Sequence, residues 1–485
     1  MSTIDRRTFV RAGLALAGTG LLAACTPSGT SAPLILPTSP RIGQVEARRR
    51  TTGHTRSYQL TAQIAQVDLG GPQVNTWTYG GALPGKEIRV RAGDVIEAEL
   101  TNRLPADTTI HWHGLALRND MDGAPPLTQN SVAPGGSFTY RFIADAPGTY
   151  WLHPHSGTQL DRGLYAPVIV EDASDPGGYD HDWTVVLDDW IDGTGTTPDE
   201  VLTRLRQGAG GMGSMHGTGG GTALGGDVRH PYYLINGRVA AAPVTFTAQP
   251  RQRARIRFIN AASDTAFRVA LGSHRLRVTH TDGFAVQPVD TDTLLIGMGE
   301  RYDVTVTLED GIFPLVALAE GKNATALALV RTGSGTPPPA SASIRPAELD
   351  GDLLRYDRLT PVEQVRLPAK APDVEHRLDL TGGMMSYDWG INGQPFDPAQ
   401  RLLIREGQRV RITFSNRTMM WHPMHIHGHT FQLGDNGPRK DTVIVLPGQT
   451  VTCDLAADNP GQWMIHCHNT YHHETGMATI LGYQT

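Results

Sequence analysis

One strand-like segment occurs three times at an almost constant interval. Arg91-Ala92-Gly93 leads through Val95-Ile96-Glu97-Ala98-Glu99-Leu100 to Asn102, Pro250 leads through Arg255-Ile256-Arg257-Phe258 to Asn260, and Glu406-Gly407 leads through Val410-Arg411-Ile412-Thr413-Phe414 to Asn416. Each copy has the period of two that a half-buried strand requires, and each closes on asparagine. The asparagines stand 158 and 156 residues apart, and Ile235-Asn236-Gly237 returns as Ile391-Asn392-Gly393 at 156. A chain of 485 residues exceeds one ordinary core, so this ruler predicts three copies of one β-rich unit. The copies fall near 45–173, 180–335 and 370–485, with Thr332 to Ala342 as part of the second linker. Abundant glycine and proline, 55 and 33 residues, agree with an all-β, loop-rich protein.

The N-terminus lies outside that ruler. Asp5-Arg6-Arg7-Thr8-Phe9-Val10 precedes an apolar run, Leu14 to Ala24, that is too short to span a bilayer. Residues 1–24 are expected to be a twin-arginine export signal. Its end, Leu22-Ala23-Ala24-Cys25, resembles a lipobox, with an ordinary small-residue cleavage site as the alternative. The expectation is export in folded form to the periplasm or the outer face of the cytoplasmic membrane, with possible attachment through a lipidated Cys25. The formal net charge of -6 carries no electrostatic footprint for nucleic acid, which points to a small-molecule partner. Only Cys25, Cys453 and Cys467 occur, so a lipidated Cys25 leaves no disulfide framework. Cys453 sits in an alternating strand and reads as a small buried hydrophobe.

The histidines follow the same ruler. His111 and His113 fall nine and eleven residues after Asn102, and His425 and His427 fall at the same offsets after Asn416. In the second copy those positions are Val269 and Leu271. Ala144-Asp145-Ala146-Pro147-Gly148 through His153-Pro154-His155 aligns with Ala457-Asp458-Asn459-Pro460-Gly461 through His466-Cys467-His468. The first and third copies therefore offer four equivalent histidines each. Residues two apart on a strand share a face, so each His-x-His aims two imidazoles at one volume. Random placement of 19 histidines gives about 0.7 such pairs, and the sequence has five. Eight imidazoles supplied equally by two copies suit a metal cluster at their interface, dividing as two, three and three.

Imidazoles alone do not choose among copper, zinc, iron and nickel; Cys467 does. A thiolate, two imidazoles and a long axial thioether form the ligand set of an electron-transfer copper site. Cys467 has His472 five residues later, Met477 ten later, and His422 arriving from the strand of His425 and His427. On an extended segment Cys467 faces one side while His466 and His468 face the other, which joins the thiolate site covalently to the cluster. Pro154 stands at the matching point of the first copy, so one such site is expected.

His111-Trp112-His113-Gly114, His153-Pro154-His155, His422-Pro423-Met424-His425-Ile426-His427-Gly428-His429, and His466-Cys467-His468 through His472 to Met477 resemble the four motifs of the multicopper oxidases. The resemblance implies three cupredoxin-like Greek-key β-sandwich domains and four coppers: one type 1, one type 2 and two type 3. It assigns the type 1 copper to His422, Cys467, His472 and Met477, and the type 2 copper to His111 and His425. One type 3 copper falls to His113, His153 and His468, the other to His155, His427 and His466. The implied reaction oxidises a substrate near the type 1 copper and reduces O2 to water. Asp122, nine residues after His113, stands where bacterial members carry an acid near the cluster, which implies a catalytic proton relay. Asp122-Gly123 is equally a good turn pair. Related enzymes often place Glu directly after the second type 1 histidine; here His473 stands there and Glu474 follows, which leaves the second proton donor open.

For substrate, the favoured reading is Cu(I), as in bacterial copper-tolerance oxidases. It draws on the export signal, on Met419-Met420, and on Met212, Met215 and His216 within Gly208 to Gly226, because thioethers select Cu(I). A flexible glycine-rich loop is the plain account of that last segment. A laccase-like oxidase of phenols or aromatic amines shares all the copper motifs. A copper-sequestering protein would need no Cys–His link between sites.

Overall fold

Asn102, Asn260 and Asn416 are buried, and each folds its amide back on the loop it begins. Asn102 Nδ2 donates to the carbonyls of Ala106 and Val132, and its Oδ1 accepts from Leu104 N. Asn260 makes the same three bonds to Thr265, Ile296 and Ala262, and Asn416 to Met420, Val445 and Thr418. A buried amide with both donors and its acceptor satisfied explains why each strand closes on this residue and not on an apolar one. The computed structural model describes residues 32–175, 177–208 and 225–485; the segment expected to be an export signal, Cys25, Met212, Met215 and His216 lie outside them.

Each asparagine strand pairs in parallel with an earlier strand and antiparallel with a later one. Asp94–Asn102 lies between Thr55–Asp68 and Ser137–Ala144, Arg253–Asn260 between His181–Trp190 and Arg301–Thr307, and Arg409–Asn416 between Val374–Thr381 and Thr450–Ala456. These form the centres of sheets of four, seven and six strands, each facing a second sheet of four, five and five. In the first pair the chain passes repeatedly from one sheet to the other, the crossing pattern of a Greek-key sandwich. The alternating side chains fill the space between: Ile96, Leu100 and Phe142 meet Trp112, Leu152 and Val168 in the first, and Ile412, Phe414 and Leu455 meet Ile426, Ile465 and Leu481 in the third. Val269 and Leu271, which stand where the other copies have histidine, are fully buried in the second core.

The hairpin marker also has a third copy that identity matching misses. Asn236-Gly237 and Asn392-Gly393 have positive φ at both positions, the geometry of a tight type I′ turn. Gly80-Gly81, 156 residues before the first, does the same, with glycine meeting the backbone demand that asparagine meets elsewhere. Helix is scarce. Pro198–Arg206 starts with a Thr197–Glu200 capping box and lays Val201, Leu202 and Leu205 on the third core; Thr470–Thr475 carries His472 and His473. Cys453 is buried opposite Ile412, as expected of a small hydrophobe. Met420 is buried too, at 4% exposure, whereas Met419 is 76% exposed. The two methionines before His422 therefore part company: one packs the core and one faces solvent.

Candidate metal centres

His422 opens strand His422–Ile426, Cys467 ends strand Gln462–Cys467, and His472 lies in the first turn of the helix capped by Asn469. Their ring Nδ1 atoms stand 3.0 Å apart, and Cys467 Sγ lies 3.7 Å from each. All three are fully buried, as is Met477. The Met477 amide donates to His472 O and its carbonyl accepts from Cys467 N, so the backbone holds residue 477 against both of these residues. The far nitrogen of each ring is held: Thr418 Oγ1 is 2.8 Å from His422 Nε2, and His472 Nε2 donates to Asp227 Oδ2 at 2.8 Å. Burial would lower His472, but Asp227 outweighs it and pushes the ring up to about 10. One sulfur and two Nδ1 atoms thus converge with their outer partners fixed, which fits a soft metal.

The eight remaining imidazoles meet where the first and third sandwiches touch. Strand pairing sets His111 opposite His153 and His425 opposite His466, the same register in both copies. Main-chain carbonyls accept from Nδ1 of His111, His153, His425 and His466, at Asp122, Pro154, Asp441 and Cys467 respectively. A carbonyl can only accept, so those rings carry their proton on Nδ1 and turn Nε2 inward as a lone pair. Nε2 of His111, His153 and His425 is buried with no hydrogen-bond partner among the described residues. His466 Nε2 lies 3.0 Å from His427 Nε2 and 3.3 Å from His155 Nε2. Burial and mutual repulsion hold His113, His153, His466 and His468 well below the ordinary range, and His427 falls to about 3. Neutral rings with unshared inward lone pairs are the form that binds metal. Ligand atoms of His155, His427 and His466 lie within 4.8 Å of one another, as do those of His111, His425 and His427. Cys467 stands between the two centres, flanked in sequence by two of the eight.

His113 is turned the other way. Its Nε2 faces Asp441 Oδ1 and Thr442 Oγ1, both at 3.1 Å, and its Nδ1 points to His468 Nε2 at 3.2 Å. Asp441 thereby mirrors Asp122. Asp122 takes His111 on its carbonyl and His427 on its carboxylate at 2.8 Å; Asp441 takes His425 on its carbonyl and His113 on its carboxylate. Each aspartate thus ties a ring of its own sandwich to a ring of the other. Asp122 stands behind the rings, on their outer nitrogens. It is a turn residue as well: a side chain on Gly123, at φ +79, would strike Ile110 O. Its carboxyl is held below the usual range because His427 and His111 outweigh burial.

Four contributors have no signal in the sequence reading. Asp227, Asp441 and Thr418 sit in loops off the ruler, and Arg301 comes from the copy with no histidine pair. Trp389 packs its ring 4.3 Å from His472, and Tyr387 donates to Asp227 Oδ2. His473 lies 4.8 and 4.6 Å, ring to ring, from His155 and His466, with Glu474 beside it in the same narrow pocket. His429 is not part of the cluster; it stacks on Tyr483.

Comparison with known proteins agrees with this geometry. Family models described as multicopper oxidase match residues 61–175, 181–335 and 369–483. Multicopper oxidase MmcO of Mycobacterium tuberculosis is 49% identical, covering 99% of this chain and 98% of that protein. A copper resistance protein A homolog of Pseudomonas syringae pv. tomato is 28% identical with 98% of each covered, and Laccase-2 of Cryptococcus neoformans var. grubii is 28% identical over 88% of this chain and 84% of its own. Among solved structures, Fet3p, a multicopper oxidase that functions in iron import, superposes with a TM-score of 0.76 at 22% identity, covering 89% of this chain and 90% of its own. The laccase of Botrytis aclada gives 0.74 at 25%, covering 91% and 89%. Three matched domains, a full-length relative at nearly half identity and the convergence of cysteine and imidazoles place the chain in the multicopper oxidase family, the copper-dependent oxidoreductases that use O2 as acceptor.

Proposed function

We propose that this oxidase takes its electrons from Cu(I), one at a time, and passes four of them to O2 to give two waters. The observation that carries the reading is the outer edge of His472. That ring is fully buried, and its Nε2 is covered by Asp227, whose second oxygen Oδ1 is buried and has no hydrogen-bond partner among the described residues. A free carboxylate oxygen one bond from the ring suits a small cation, and leaves a bulky phenol no direct contact with the imidazole. Exposed thioethers support the same donor: Met385 is 91% and Met419 76% exposed, and thioether sulfur favours cuprous ion. Met385 shares a loop with Tyr387, which donates to Asp227, and its carbonyl lies near Gly208, where the methionine-bearing segment begins. The names of the copper resistance relatives agree.

His422, Cys467, His472 and Met477 would hold a type 1 copper, and His111 with His425 a type 2 copper. His113, His153 and His468, and His155, His427 and His466, would hold a type 3 pair, making four. When bound, these coppers supply one-electron acceptance at the thiolate and pooled electrons for O2 at the imidazoles. The chain's own part is orientation and protons. Carbonyls and the two aspartates fix which nitrogen faces inward in six of the eight rings, and Cys467 links the centres through the chain to His466 and His468. Asp122 holds His427 and His111 and is the proposed proton carrier on one side; His473 and Glu474 line a path on the other. Export and a lipidated Cys25 would place this reaction outside the cytoplasm, where copper arrives.

The test is oxygen uptake with Cu(I), a phenol and ferrous iron compared side by side. Preference for Cu(I) supports the reading. Preference for the phenol replaces it with the laccase one, and no uptake with any donor points to copper sequestration.

A further inference from the structure

The second sandwich holds none of the eight imidazoles, yet one of its side chains reaches their interface. Arg301, the first residue of strand Arg301–Thr307, is fully buried. Its Nη1 and Nη2 donate to the two carboxylate oxygens of Asp441 at 2.7 and 2.6 Å. Nε donates to Thr149 O at 3.0 Å, and Nη1 also to Gly299 O at 3.1 Å. One guanidinium therefore ties together the first, second and third sandwiches. The chain keeps room for it: a Cβ on Gly114, directly after His113, would lie 2.4 Å from Arg301 Nη2.

What Arg301 holds decides a tautomer. Four of the rings have their outer proton fixed by a main-chain carbonyl, which the fold cannot easily rotate. His113 depends on a carboxylate, which can turn about its own side-chain bond unless it is clamped. The planar fork of arginine matches both oxygens and leaves Oδ1 aimed at His113 Nε2, which a lysine's single ammonium cannot do. Asp441 is fixed from its backbone as well, since Asp282 Oδ2 accepts from the amides of Asp441 and Thr442.

We infer that Arg301 is a positioning residue for the imidazole cluster: by clamping Asp441 it fixes His113 with Nδ1 facing His468, and so sets copper affinity on that side of the cluster. The inference rests on the ligand reading given above. It assigns the second sandwich a task in the copper site beyond spacing its neighbours.

The experiment compares wild type with Arg301→Gln, Arg301→Lys and the double variant Arg301→Gln/Asp441→Asn. Three quantities are read: copper retained per chain against a graded chelator, the thiolate-to-copper absorption of the Cys467 centre, and the heat-unfolding midpoint of the copper-free protein. Arg301→Gln and Arg301→Lys should weaken the imidazole cluster's copper affinity about 10- to 100-fold, as loss of an outer-shell partner does, and leave the blue absorption intact. In the double variant no buried carboxylate is left unpaired, so the midpoint should recover while the affinity does not. If Arg301→Lys binds copper as wild type does, or if the double variant recovers midpoint and affinity together, Arg301 is merely structural and the inference falls. Should Arg301→Gln fail to fold, the other two variants decide. Wild type that loads no copper at the imidazoles would sink the ligand reading instead, a distinct result.

Discussion

Asp227→Asn isolates the contact on which the choice of substrate turns. The substitution keeps shape: an amide oxygen can still accept from His472 Nε2 and from Tyr387. It removes the charge and presents a cation with a poorer partner at the unpaired Oδ1 position. A contact to a charged group contributes about 1.5–3 kcal/mol, which corresponds to roughly a 10- to 150-fold rise in KM for Cu(I). In the proposed reading the carboxylate binds the donor before and during electron transfer alike, so kcat should change little. The assay is oxygen uptake over a range of buffered Cu(I), with the thiolate-to-copper absorption as the check that the first centre is loaded. Phenol oxidation should be unchanged or faster, since an uncharged edge leaves more room for an aromatic donor. An unaltered KM for Cu(I) with full blue absorption would refute the reasoning and leave Asp227 as a hydrogen-bond partner of His472 alone.

Four further outcomes follow from the same geometry. Cys467→Ser should abolish the blue absorption and turnover while the imidazole cluster still takes up copper; a blue, active variant would overturn the first centre. Asp122→Asn should slow O2 reduction about 100-fold or more, the usual loss when a proton-transferring group is removed, while reduction of the blue centre by substrate, followed by stopped flow, stays unchanged. Met420→Ala should destabilise the protein by about 2–5 kcal/mol as a core cavity does, whereas Met419→Ala should leave chemical denaturation nearly unaffected. The copper-free protein should lose stability as pH falls from about 6.5 toward 3: His427 is held down to about 3 by burial and by His111, so the unfolded chain takes up the proton first; a flat denaturation profile across that window would contradict the assignment.

The residues legible in sequence are those tied to the repeat. Eight histidines and the alternating strands carry the same offsets from Asn102 and Asn416, so comparing the copies finds them without knowledge of any contact. Asp441 escapes because the loop before it is longer than its counterpart: it follows His425 by sixteen residues where Asp122 follows His111 by eleven. Arg301 escapes for another reason, since nothing local marks a buried arginine whose partner lies 140 residues away. Asp227 is hidden by its setting at the edge of a glycine-rich segment that reads as plain loop. Met419 and Met420 look like one feature in sequence, but neighbours on an irregular segment need not share a face. Gly80-Gly81 escapes residue identity because what repeats there is a positive φ, which glycine and asparagine both supply.

The contacts that close the imidazole cluster join residues 311 and 355 positions apart, between His155 and His466 and between His113 and His468. Closing loops of that length is the slow, late part of folding for a chain built on long-range pairing. During synthesis the first sandwich is finished long before His466 exists, and in that interval it presents only half of each inward-facing set. In the ligand grouping proposed above the first sandwich alone supplies only one or two rings to any one ion, so an incomplete or truncated chain completes none of the three sites. Stable loading of the cluster therefore reports that the first and last thirds of the polypeptide have both folded and met, which makes metal content a measure of assembly as much as of supply.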